Sequence, residues 1–138
     1  MDFEFGFSRV FCPGSDPVEN AIELEFNINR LVQRNLTYLR YHAAPSLYHS
    51  RVVYGRTKIW LDIGRVLELG HADCKSLSSW RIAEMVHNKL CKMKPKPVFR
   101  WKLRPDGSGI SDYHILIQTE NGYECPSKTL GMGQQYNL

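Results

Sequence analysis

Apolar residues recur at helical spacing from Ala21 through Leu24, Ile28 and Leu31 to Tyr38 and Leu39, which predicts a helix over 16–41. Its start is marked by Asp16-Pro17-Val18-Glu19: an N-cap residue, a proline suited to the first helical position and a glutamate in capping-box register. Leu24, Phe26 and Ile28 also alternate, so a short strand competes with the helix there. Ala44-Pro45-Ser46 ends the element, and the mixed, aromatic stretch 47–60 reads as a loop wrapping the core. A short helix over 63–69 then leads to Gly70. A longer helix runs from Cys74 to about Leu90, with Leu77, Ile82, Met85, Val86 and Leu90 as its buried face. Beyond Pro95 and Pro97, 98–103 alternates as a strand, 105–109 turns, and Tyr113-His114-Ile115-Leu116-Ile117-Gln118 alternates again before a hairpin. Phe3, Phe5 and Phe7 alternate with polar residues and glycine, predicting a strand or arm within 1–15. The pattern implies an α+β fold over 1–138, with a Cys-bearing helix packed on an antiparallel sheet that carries the histidine.

Composition narrows the class. A chain of 138 residues with 43% hydrophobic and 23% charged positions can bury a real core as one domain. Net charge is +4, and Lys92, Lys94 and Lys96 sit in a Pro-containing connector, a solvated loop rather than a nucleic-acid-binding stripe. The acid-containing start lacks the basic and apolar regions of a secretory signal, and no apolar run is long enough to cross a bilayer. Cysteines at 12, 74, 91 and 125 have no paired CxxC spacing, so neither a zinc site nor a disulfide framework is expected, and no metal or cofactor is implied.

The candidate chemistry centres on Gly70-His71-Ala72-Asp73-Cys74-Lys75-Ser76-Leu77, which places a cysteine where a loop turns into a helix. Unpaired N–H groups and the helix dipole favour an anion there, and a thiolate is one, so Cys74 is expected to be an activated nucleophile with Lys75 and His71 adding positive charge. Downstream, His114 stands near the start of a strand. A Cys on a helix N-terminus followed by a His on a strand is the layout of a thiol acyl-transfer site, with the imidazole taking and returning the proton.

The segment 70–84 resembles the Cys-bearing helix of transglutaminase-like cysteine proteases, in particular small members encoded by tailed bacteriophages. Tyr38-Leu39-Arg40-Tyr41-His42, Leu47-Tyr48-His49-Ser50 and Trp60-Leu61-Asp62-Ile63-Gly64-Arg65-Val66-Leu67 are similar to their upstream run. Tyr113-His114-Ile115-Leu116-Ile117 and Glu124-Cys125-Pro126-Ser127-Lys128-Thr129-Leu130-Gly131-Met132 resemble their His strand and closing segment. The resemblance runs over about 38–132 and implies a papain-like fold with its Cys/His core over 70–132, and attack of Cys74 on an amide or ester with His114 as base and acid. The implied partner is a protein or peptide substrate. It also implies a virion or host-cytoplasm setting, where the alternative is an impaired enzyme kept as a head, neck or tail protein among other virion proteins.

One position departs from the family. Where an Asp precedes Pro-Ser and orients the histidine, this chain has Cys125, a weak hydrogen-bonding group. Glu124 is the alternative orienter, and hairpin register decides between them. An Asn121-Gly122 turn would pair Gln118 with Cys125, and a three-residue loop would pair it with Glu124. In either register the partner sits roughly 13 Å along the strand from His114. Asp112, two residues before His114 on the same face, is a further candidate. Trp60 or Trp80 could wall the site.

Overall fold

The computed structural model describes residues 10–11, 17–57, 59–103, 105–108 and 111–132. Its elements are β1 (Val10–Phe11), α1 (Pro17–Tyr41), a single 3-10 turn (Leu47–His49), β2 (Val53–Tyr54), α2 (Ile63–Leu69), β3 (His71–Ala72), α3 (Cys74–His87), β4 (Lys96–Leu103), β5 (Ser111–Thr119), β6 (Gly122–Glu124) and α4 (Pro126–Thr129). The protein is mixed α+β. Of the strand or arm expected within 1–15 only β1 is described; Phe3, Phe5 and Phe7, Cys12 and the expected N-cap Asp16 lie outside the described residues.

The helical reading holds over 17–41, and the strand reading of 24–28 does not. Leu24, Ile28, Leu31 and Val32 form one buried stripe on α1, joined by Asn35, whose Oδ1 accepts from Ile63 N at 2.9 Å. Asp62 caps α2 by accepting from Arg65 N, and Gly70 closes it at φ 85°, a left-handed conformation that favours glycine. The chain emerges as β3, which pairs parallel with β2 through Val53↔His71 and Tyr54↔Ala72. These two-residue strands lie where only loop was expected, because so short a bridge leaves no periodicity to read.

The Cys-bearing helix differs from expectation in length and in character. It ends at His87 because Lys89 turns left-handed at φ 53°, with Leu90 N bonding Met85 O and Lys89 N bonding Val86 O, a Schellman arrangement. Leu90 therefore lies outside the helix and is exposed. Far from having one apolar face, α3 is buried all round from Cys74 to Trp80. Its buried serines are paired: Ser76 Oγ accepts from Leu61 N, Ser78 Oγ donates to Ile115 O, and Ser79 Oγ donates to Lys75 O.

In the sheet, β5 is central. On one edge β4 pairs antiparallel along its length, from Lys96↔Gln118 to Leu103↔Ser111. On the other edge β1 covers 111–112 and β6 covers 117–119. Between those partners the β5 edge is open to side chains, and there the N-terminal half of α3 meets the strand.

Candidate active site

The gap between β1 and β6 explains how α3 engages the sheet. At Ile115 the C=O accepts from Ser78 Oγ at 3.2 Å, and the backbone of the same residue acts to favour a Cys74 thiolate against the effect of burial. Cys74 and Ser78 are four residues apart, so they share one helix face. The fold thereby brings Cys74 to the residue that follows His114.

Cys125 reaches His114 from the opposite direction in the chain. Observed pairing is Ile117↔Glu124, Gln118↔Tyr123 and Thr119↔Gly122, so the hairpin turns on Glu120-Asn121 and neither expected register occurs. Thr119 fixes this turn: its Oγ1 donates to Gly122 O and accepts from Asn121 N, while Gly122 adopts φ 119°. The shifted register places Cys125 beyond the strand end on the face shared by Leu116 and His114. His114 Nε2 then lies 3.1 Å from Cys125 Sγ, a contact that a partner 13 Å along the ladder would have precluded.

Alternation sends Glu124 to the other face, and it does not orient His114. Its carboxylate accepts from Tyr48 Oη and from Arg81 Nε, while Arg81 also pairs with Glu84, whose other oxygen accepts from Leu47 N at 2.8 Å. Arg81 lies 4.8 Å over the Tyr48 ring. This network joins the 3-10 turn, α3 and β6. Sequence reasoning missed it because its members are scattered over 76 positions with no local pattern. Asp112 pairs through its backbone with Val10 and Lys102, and its side chain lies outside the described residues.

The electrostatics also differ from expectation. Cys74 is 0% exposed, and burial pushes its thiol well above the ordinary value, with the Asp73 carboxylate adding to the rise. Lys75 opposes this but is itself committed: its Nζ pairs with Asp73 at 2.6 Å and donates to Thr57 O at 3.2 Å, with both side chains buried. The helix N-terminus therefore does not prevail over desolvation, and the expected low-pKa thiol is not present in this closed arrangement. His114 is 2% exposed. Burial, followed by the charge of Arg100 across the strand pair, pushes it down to about 2. Both shifts favour the neutral imidazole and the un-ionised thiol.

Trp80 is wholly buried in the core, and Trp60 has the Lys75 ammonium 5.7 Å over its ring. Trp60 walls a cleft of about 510 Å³ with Asn27, Arg30, Leu31 and Arg34, and Cys74 is not among its lining residues. Among the described residues no group of three or more His, Cys, Asp or Glu is placed to hold a metal ion, and no helix is long and apolar enough to cross a membrane. No family model, curated protein or solved structure matches this chain.

Proposed function

We propose that this chain is a transglutaminase-like domain with a papain-like core that performs thiol-dependent acyl chemistry on protein or peptide amides, in a tailed-bacteriophage setting. The observation that carries the reading is the convergence on one strand: β5 meets Cys125 at His114 and Cys74 at Ile115, which gathers three positions the resemblance assigns to one site. The pairing of Nε2 with Cys125 leaves proton transfer from Cys74 to run through Nδ1 of the neutral ring. Cys74 Sγ would form a bond to the carbonyl carbon as its proton passes to His114. The amine would then leave with that proton, and water or a second amine would resolve the thioester. Because Cys74 is buried and un-ionised, this chemistry requires an opening that admits substrate along the β5 edge.

The same burial favours a second reading, in which the domain is a virion structural protein that keeps the fold without turnover. One comparison separates the two. Wild type and Cys74→Ala are assayed for incorporation of a labelled alkylamine into glutamine-bearing proteins and for peptide cleavage. Turnover by wild type alone supports the enzyme. Absence of turnover, with Cys74→Ala phage assembling and infecting normally, supports the structural role.

A further inference from the structure

Cys125 does not have the character of a substituted orienting residue alone. It sits where β6 gives way to α4, partly exposed, with its sulfur 3.1 Å from His114 Nε2. Burial raises the Cys125 thiol above its ordinary value, and the backbone of Lys128 and Ser127 acts against that rise. Cys74, by contrast, is fully enclosed. Cys91 is similarly part-buried, but its neighbour is the Met85 thioether at 3.8 Å, which is no base. Of the three described cysteines, Cys125 is the one that combines partial exposure with a ring nitrogen at hydrogen-bond distance.

We propose that Cys125 and His114 form a second thiol–imidazole pair, in which Cys125 is a nucleophile toward small carbon electrophiles, activated acyl groups included. Tautomerism of one ring divides the roles. With the proton on Nε2, the ring donates to Cys125 and offers Nδ1 as the base for Cys74. With the proton on Nδ1, Nε2 accepts from the Cys125 thiol. In the second state the Sγ–C bond forms as the thiol proton moves to Nε2, and the leaving group departs with its electron pair; the imidazolium then gives that proton to a basic leaving group or, where iodide leaves, to water. The site needs no opening of the buried edge around Cys74, so it goes beyond the acyl-transfer reading and does not depend on it.

The test is iodoacetamide labelling of the full chain at neutral pH, with the rate at each cysteine read by peptide mass spectrometry and Cys91 as the internal standard. Cys125 is expected to label faster than Cys91 by roughly a hundredfold, the lower end of what a positioned base supplies. In His114→Asn the two rates should converge. Equal rates in the folded wild type overturn the proposal, as does a Cys125 advantage that survives His114→Asn. If that variant does not fold, the wild type in denaturant supplies the reference. A Cys125-to-Cys91 ratio no greater in the folded protein than in the unfolded one likewise overturns the assignment.

Discussion

Arg81, on the helix that begins with Cys74, donates through Nε to the carboxylate of Glu124, the residue immediately before Cys125. The pair ties the Cys74 helix to the strand end that delivers Cys125 to His114. With Arg81 and Glu124 16% and 28% exposed, the interaction lies between a surface ion pair and a buried one. Glu124→Gln should therefore cost about 1–2 kcal/mol in urea unfolding. Arg81→Met should cost more, because it also strands Glu84.

The buried Asp73–Lys75 pair supplies a sharper stability test. Both side chains are sealed from water, so Lys75→Met leaves a carboxylate without its cation and should destabilise by about 3–5 kcal/mol. The double variant Asp73→Asn/Lys75→Met should recover a large part of that loss. Chemical denaturation of the three variants measures it.

Stability should fall on both sides of neutrality. His114 is held at about 2, below its ordinary 6.5, so the unfolded chain binds a proton that the folded chain refuses. Its contribution is complete above pH 6.5 and is lost as pH falls toward 2, at up to about 1.4 kcal/mol per pH unit. Cys74 acts oppositely: its folded value lies above 9.0, so its contribution is complete below pH 9 and is lost as pH rises beyond it. Thermal unfolding across pH should show a plateau between these limits. His114→Asn should flatten the acid limb alone.

Cys125→Asp should raise the His114 pKa above its present low value, because a carboxylate at Nε2 favours the imidazolium. The same residue would cap α4, adding about 1 kcal/mol. NMR titration of His114 reads the first effect and thermal unfolding the second. An unmoved His114 would mean that the introduced carboxylate does not replace the sulfur at Nε2.

Much of the fold was legible because long, periodic segments declare themselves. The apolar stripe of α1, the 63–69 span of α2 before Gly70 and the alternation of β5 all follow from local chemistry. Cys74 at the start of α3 was legible for the same reason, and Cys125 beside His114 only through resemblance. Register was not legible: Thr119 chose Glu120-Asn121 over Asn121-Gly122 through two side-chain hydrogen bonds, and that two-residue shift kept Cys125 on the histidine's face while bringing it opposite Leu116, nearer to His114. The sign of the Cys74 shift was also hidden, because a helix-terminus argument counts dipoles and cannot count the layers of protein that enclose the sulfur.

Peptide mapping of an acid-quenched acyl-enzyme separates acyl transfer through Cys74 from a fold without turnover. The protein is mixed with an activated peptide ester, quenched within the first turnover, and the mass of the acyl group is located by fragmentation. A thioester is expected on Cys74, disappearing in Cys74→Ala and accumulating poorly in His114→Asn. An acyl group confined to Cys125, or none on any cysteine while the ester is consumed no faster than in buffer, would contradict it.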